Sequence, residues 1–568
     1  MNRTRRYHKI RKNEIDWIVL DEYSSAISGN LVEKARDAAS YPECRVIGEN
    51  NVRISMCVPL QESGEVIFLK RYKCRGLKDS FKYFFFTSKA SSEWKNMNRF
   101  LKEGIQVALP LAKGEERRFN FLLDSYLVTK ALVDARPLRS YVEQCLRTAK
   151  TPDVLMQKKI LIKKLAQLVQ KIHAEGFFYR DLHAGNIMVV KSDCGEPELY
   201  PVDFHKVWHM KKIPLWMRIR DLAQLKNSIT ASRADQVRFL REYAKGCNLF
   251  SNNFKFNAYR IEVKAEKLWR THLKSRTKRC VVNSSEFAVQ KDFKHSLYHN
   301  KCYTKEFLNE IIKAYQFALD TGNLKVLKKT PKETVAMIAG IQNGKELKVL
   351  VKESKFTSLL SALRYNFCRS RAKKYWIASR GLKVRGIETP LSLAFIEKKM
   401  IGFPKQNILL TEYIDHALEL NDYVLKKFKG VLSKEEMRKK GRFLEEFAEK
   451  LRDLHDGGIY HADLKSNNIL VKEKNGDGWQ FYFIDLDRVA FKQCLSFGQR
   501  SNNLAQINAS VADCITPSDR LKFFRAYARG TLVMKQKKKY YQKILKISRK
   551  KITQPYGIFF PPPAKDIH

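Results

Sequence analysis

The chain has 568 residues, 44% of them hydrophobic, which suits a globular protein and not a disordered one, and no apolar run approaches the ~20 residues needed to cross a bilayer. Its 108 Lys and Arg against 59 Asp and Glu leave a net charge of +49. That charge predicts an anionic partner (lipid headgroups, a phosphorylated glycolipid or nucleic acid), the plainer alternative being a solvated surface or a general basic bias.

In chain order, residues 1–42 read as a basic lead containing Arg3 to Lys12. Its apolar run, Ile15 to Leu20, is short and meets Asp21 and Glu22, which argues against a signal peptide. Residues 43–246 hold a first compact unit. Glu65 to Tyr72 reads as a strand carrying Lys70. Leu165, Val169 and Ile172 line one face of a helix that ends in a His-x-x-Gly turn. A hairpin comes next, and Leu199 to Phe204 forms the strand that presents Asp203. Residues 247–324 are too many for a bare loop. Phe307, Leu308, Ile311, Ile312, Tyr315, Ala318 and Leu319 recur there with helical period, Thr304 can cap that helix and Gly322 can end it, so this connector reads as an amino-terminal extension of a second unit.

Residues 325–530 form that second unit with the same series: a strand over Leu347 to Ser354 carrying Lys352, a helix face of Phe447, Leu451 and Leu454, and a strand over Phe481 to Leu486. The tail, 531–568, contains Lys535 to Lys551 without one acidic residue and then Pro561, Pro562 and Pro563. It either lies on a membrane surface or packs as a carboxy-terminal helix, since the chain between Tyr243 and Trp269 fills the same position in the first half. Eleven cysteines, odd in number and free of any CxxC pair, argue for reduced thiols and against a disulfide framework or a zinc site.

The two units are in register. Lys70, Glu93-Trp94, Gly104, His173, Asp181, Asn186 and Asp203 are answered 282 positions on (352 − 70) by Lys352, Tyr375-Trp376, Gly386, His455, Asp463, Asn468 and Asp485. Tyr179 to Val190 aligns without a gap on His461 to Lys472, and Asp221 to Ile229 on Asn503 to Val511. Two such boxes with shared surroundings point to duplication of a fold of a few hundred residues.

Each half holds a lysine after a strand, an Asp-x-x-x-x-Asn box and a second Asp: the minimum for holding ATP with magnesium and phosphorylating a hydroxyl. The expected fold is α+β, two tandem bilobal protein-kinase-like domains, each with a small β-rich lobe and a larger helical one. Lys70 and Lys352 would contact the α- and β-phosphates. Glu93 can hold Lys70, whereas Tyr375 removes that acid from the second half. Asp181 and Asp463 would orient the attacking hydroxyl and take its proton. Asn186 with Asp203, and Asn468 with Asp485, would hold Mg²⁺. Lys465 could neutralise charge on the γ-phosphate, and His183 could do so by hydrogen bonding or when protonated. His173 and His455 read as structural. Neither lysine is preceded by a Gly-x-Gly-x-x-Gly loop; Val46 to Val58 and Val326 to Ile341 occupy that place.

With these residues assembled, the chain resembles the lipopolysaccharide-core kinases, the Kdo kinase and heptose kinase family of Gram-negative bacteria. The match is closest in the second half, where Leu454 to Val471 and Phe483 to Val489 carry an Asp-x-Asp-Arg segment in place of Asp-Phe-Gly, and where Arg385 to Ala394 also fits the family's pattern. The resemblance implies a protein-kinase-like fold using ATP and Mg²⁺. The implied acceptor is a sugar hydroxyl of lipid A–core, reached by a cytoplasmic protein peripheral to the anionic inner membrane. The first half departs from the second with His205 opposite Asp487, and Tyr179-Arg180 opposite His461-Ala462. Two other functions compete: a kinase of a protein or small molecule, and a pseudokinase scaffold or lipid-binding module in one or both halves. No nucleic-acid recognition motif is present, so no nucleic-acid partner is expected.

Overall fold

The computed structural model describes residues 6–551 apart from 28–30, 51, 61–63, 75, 146–150, 193–194, 324, 332, 356–369, 401–402, 475, 477 and 531. The first residues of the basic lead and the Pro561 to Pro563 end of the tail therefore lie outside the described residues. The chain divides into two compact units, Met1–Trp269 and Arg270–His568. The division falls inside the stretch read as a connector, within the helix Phe254–Lys278.

Among the described residues, the first unit has a seven-stranded antiparallel sheet in the order Tyr7–Lys12, Ile15–Leu20, Pro110–Arg118, Phe121–Lys130, Val66–Lys73, Arg53–Pro59, Arg45–Asn50. Residues from the basic lead thus supply two strands. Ile15, Trp17 and Val19 alternate inward along one of them, as a strand with one covered face requires. Trp17 pairs with Gly114, and a Cβ on Gly114 would stand 2.7 Å from the Trp17 ring, so only glycine fits beneath that indole. This sheet has its own core, including Met56, Leu69 and Tyr126. A second core, built around the helix Pro152–Ala174, buries Leu165, Val169 and Ile172 with Phe177 and Tyr243.

The second unit repeats the strand order: Phe287–Lys291, His295–Asn300, Ser392–Met400, Phe403–Glu412, Lys345–Lys355, Glu333–Gln342, Val326–Thr330. The helix Lys305–Asp320 starts at Thr304, whose side chain accepts the Phe307 N–H at 3.2 Å, and packs Phe307, Ile311 and Tyr315 against this sheet. The larger core surrounds the helix Lys434–Asp456, with Phe447, Leu451 and Leu454 inward.

Each long helix ends in the His-x-x-Gly turn. Gly176 (φ +78°) and Gly458 (φ +71°) sit in the left-handed region, and a Cβ there would lie 1.9 Å from Met210 O and 2.3 Å from Lys492 O. These two carbonyls cross the turn because the same residues' N–H groups donate to Gly176 O and Gly458 O at 3.0 and 2.7 Å. The turn delivers the Asp box at a fixed height above the helix. Of the two forms considered for the tail, the structure contains the packed helix: Lys537–Lys551 turns Tyr540, Ile544 and Ser548 inward at helical spacing, and Ser548 Oγ meets Asn508 Nδ2 at 3.0 Å.

Candidate active site

In the first unit the strand Val66–Lys73 carries Lys70 and the helix Lys89–Lys102 carries Glu93. The two meet at 2.6 Å in a buried pair, and the Tyr72 hydroxyl donates to the other Glu93 oxygen at 2.5 Å. Asn96, one turn on, donates to Phe204 O and Val207 O at 2.9 and 3.0 Å, which ties this helix to the loop bearing Asp203. Tyr375 stands at the corresponding place in the second unit. It is buried, and burial holds its phenol far above the usual range, so it supplies no anion to Lys352.

The second lysine finds its acid elsewhere. Glu333, on the neighbouring strand, lies 3.3 Å from Lys352 Nζ. Burial raises the Glu333 carboxyl, but Lys352 and Lys328 outweigh it, so the group is held below its ordinary value. Glu333 pairs across the sheet with Ser354, and Arg53 pairs with Tyr72, so Glu333 and Arg53 occupy one position in the two sheets. In the first unit Arg53 reaches across to Asp203 at 3.3 Å. The acid on the helix is matched by a base on the strand; where the helix lacks the acid, the strand supplies it.

The Asp boxes are braced in parallel ways. Asn186 Nδ2 donates to Asp181 O at 3.1 Å and Asn468 Nδ2 to Asp463 O at 2.7 Å, which commits each amide nitrogen to the loop and leaves each amide oxygen for another partner. Tyr179 donates its hydroxyl to Val202 O, and His461 Nε2 meets Ile484 O at 3.0 Å. Tyrosine and histidine thus tie the box to the residue before the second Asp in the same manner. Burial pushes the His461 imidazole down, which suits a neutral ring whose Nδ1 accepts the Asp463 N–H at 3.3 Å. Asp203 and Asp485 have left-handed backbones (φ +71° and +56°), a strained setting for a non-glycine residue and one that clusters at functional sites.

Beneath each box lies a buried support. Asp221 accepts the backbone N–H groups of Tyr179 and Arg180 at 2.8 and 3.1 Å. In the second unit Asn503 Nδ2 donates to His461 O at 2.6 Å, and His455 joins Asn503 Oδ1 to the Tyr527 hydroxyl. His173 meets Tyr243 in the same way at 2.9 Å. Both histidines are fully buried beneath the loop.

The two sites differ in how their carboxylates are covered. In the first, His205 Nδ1 holds Asp203 at 2.5 Å alongside Arg53. Burial alone would raise this carboxyl, but His205, Lys70 and Arg53 hold it far below the usual range. Lys206 Nζ grips Asp181 at 2.6 Å, while His183 Nε2 stands 3.9 Å from the same carboxylate. In the second, Lys352, Asp463 and Asp485 line one solvent-open cavity together with Glu333, Arg371, Asp487 and Arg488. Asp485 is 42% exposed, against 19% for Asp203. Lys465 Nζ stands 3.1 Å from Asp463 and Lys352 Nζ 3.7 Å from Asp485. Burial, then the neighbouring Asp485 charge, raises the Asp487 carboxyl, against the opposing pull of Arg371, Lys352 and Arg488.

Arg53, Lys206, Glu333, Arg371 and Asp487 are site residues that sequence reasoning did not single out for a role. For Arg53 and Glu333 the signal was present but offset: they lie 280 apart (333 − 53), because the second hairpin carries two extra residues before Lys352, so the 282-residue register does not pair them.

A family model described as the lipopolysaccharide kinase (Kdo/WaaP) family matches residues 40–243 and again 341–527. Two curated relatives, both lipopolysaccharide core heptose(I) kinase WaaP, one from Escherichia coli and one from its strain K12, are each 26% identical over 191 residues, 32% of this chain and 71% of the relative. A solved structure, WaaP in complex with acyl carrier protein, is 20% identical, covers 46% of this chain and 99% of that one, and has a TM-score of 0.34.

Proposed function

Because the chain belongs to the lipopolysaccharide kinase (Kdo/WaaP) family, and so is an ATP-dependent sugar kinase, we propose that it phosphorylates a Kdo or heptose hydroxyl of the lipopolysaccharide inner core. The acceptor lies at the cytoplasmic face of the inner membrane of a Gram-negative bacterium, and the protein is peripheral to that membrane; no helix among the described residues is long and apolar enough to cross one. The chain is organised as two tandem bilobal kinase-like domains, 43–246 and 325–530, and the second carries the turnover.

The observation that carries this reading is the cavity on which Lys352, Asp463 and Asp485 converge. There Lys352 binds the α- and β-phosphates of ATP, steadied by Glu333. Asp463 accepts the proton of the sugar hydroxyl as its oxygen forms a bond to the γ-phosphorus. The bond from that phosphorus to the β-phosphate oxygen breaks, and ADP leaves with the electron pair. Such a transition state is loose, so holding the hydroxyl in line matters more than the strength of the base. Lys465 lies beside Asp463, where it can neutralise charge on the transferred group. The free amide oxygen of Asn468 and the carboxylates of Asp485 and Asp487 are hard oxygen donors that fit Mg²⁺, which when bound offsets the phosphate charge. In the first unit Lys70, Glu93, Asp181, His183, Asn186 and Asp203 stand at the matching positions, but Arg53, His205 and Lys206 occupy its carboxylates. We assign that unit a nucleotide- or glycolipid-binding role, with little turnover of its own.

Transfer of label from γ-labelled ATP to purified lipid A–core, to the delipidated core and to added protein tests the acceptor class. Label is expected in both core substrates. Label confined to protein would move the chain to the protein kinases, and bound nucleotide with no transfer at all would make it a scaffold.

A further inference from the structure

The helix Leu77–Phe85 of the first unit is turned inside out. Its small polar Ser80 is buried, with the hydroxyl donating to Leu122 O at 3.0 Å, while Arg117 Nη1 donates to Tyr83 O at 3.3 Å. Phe81, Phe84 and Phe85, which share a face at i, i+3 and i+4, are 60%, 46% and 67% exposed, and Phe86 is 65% exposed. Their rings meet one another and not a core: Phe81 and Phe85 lie 5.4 Å apart, Phe84 and Phe85 5.0 Å, Phe84 and Phe121 5.5 Å.

Phe121 belongs to the adjoining hairpin, whose two-residue turn is Phe119-Asn120 with φ of +48° and +64°. That turn favours Asn and Gly at both positions. Here a phenylalanine takes a strained backbone and holds its ring 85% exposed. At about 200 Å² per ring, these six residues leave on the order of 700 Å² of aromatic surface in water, more than a soluble monomer ordinarily exposes in one patch. The rim carries two open cations: Lys82 and Arg118 are exposed beside Tyr83 and Phe119, while Arg117 is held by Glu115 at 2.9 Å.

We propose that this face inserts into the interfacial layer of an anionic phospholipid bilayer, with Phe81, Phe84, Phe85, Phe86 and Phe119 entering the acyl boundary and Lys82 and Arg118 on the phosphates. Apolar rings collared by basic side chains on a chain of +49 net charge match a negatively charged interface in both of its properties. The inference rests on the reading that the acceptor is a membrane glycolipid, and it names the surface that brings the enzyme there.

Co-sedimentation of the full chain with vesicles of phosphatidylethanolamine and phosphatidylglycerol tests it. Binding by the wild type is expected, with at least a tenfold loss in the Phe81→Ser/Phe85→Ser double variant and unchanged transfer to delipidated core. Phe119→Asn separates a folding defect from a lost contact: it relieves the turn, so the melting temperature should rise while vesicle binding falls. Vesicle affinity equal to wild type in both variants would overturn the proposal. So would a wild type that is dimeric and fails to bind vesicles but becomes monomeric in the double variant, which would make the face an interface between copies. Absence of transfer to delipidated core by the wild type would strike the functional reading instead, and leaves vesicle binding readable.

Discussion

Glu333 and Arg53 show how a single position can carry opposite charges and preserve one arrangement. In the first unit the helix gives Lys70 its acid, so the strand is free to carry Arg53 to Asp203; in the second, Tyr375 fills the helix position and the strand supplies Glu333. Both members of the Lys352–Glu333 pair are partly exposed, so the pair contributes about 1 kcal/mol. Glu333→Gln is therefore expected to raise KM for ATP roughly fivefold with a smaller change in kcat; steady-state kinetics with an unchanged KM would remove Glu333 from the nucleotide site.

The buried His455 gives a second test at this scale. Burial, reinforced by Arg500, lowers its pKa from 6.5 to about 3. A depressed folded-state pKa means that the unfolded chain binds the proton first. The stability this histidine contributes is thus complete above pH 6.5 and is lost as pH falls from 6.5 toward 3, by up to about 1.4 kcal/mol per pH unit. The urea midpoint should fall between pH 7 and pH 5, and less steeply in His455→Gln; identical slopes would contradict this. The Lys70–Glu93 pair was legible in the sequence because a lysine and a helix acid sit at fixed spacing. Glu333 was not, because opposition across a sheet leaves no period along one strand and the hairpin insertion broke the register.

At the scale of elements, the turn after each long helix is the most constrained piece of backbone. Gly458 combines a left-handed φ with a carbonyl in the place of a Cβ, while Gly386 has a similar φ (+73°) and nothing within 4 Å. Gly386→Ala should cost about 1 kcal/mol from strain alone, and Gly458→Ala roughly 2–4 kcal/mol from strain and clash together. Denaturant midpoints of the two variants check the order; equal losses would mean that the close approach of Lys492 O carries no weight. Helices and strands were readable here from period and caps: Thr304 starts its helix as expected, and Leu165, Val169 and Ile172 face a core. The basic lead showed no such sign of its strands, since Tyr7–Lys12 is only half covered and a mixed polar strand leaves no clean alternation. The tail's burial of Tyr540 and Ile544 was one of two open readings, because a helix of lysines around a narrow apolar stripe fits a membrane surface as well as a protein core.

Across the whole molecule, the recurrence of one motif series was readable in the sequence, since it needs only identity at a constant offset. The same strand order in both units and the family match over both stretches agree with a repeated unit. The proposed division of labour was not legible, because it depends on which cations reach which carboxylates. Arg53, Lys206 and His205 close on the first set, whereas Asp485 keeps a solvent-facing side beside Asp487 in the second. Nor was the aromatic face: the apolar run Lys82 to Thr87 is too short to span a bilayer, and only the burial of Ser80 reveals which way its rings point.

The most direct test of the second-unit cavity as the transfer site is a phosphate-transfer assay on delipidated core with Asp181→Asn, Asp463→Asn and the double variant. Asp463→Asn should lower the rate by about a thousandfold, in the range a positioned proton acceptor supplies, with Asp181→Asn within a fewfold of wild type and the double variant no worse than Asp463→Asn. Full activity in Asp463→Asn, with the loss falling on Asp181→Asn instead, would contradict the account.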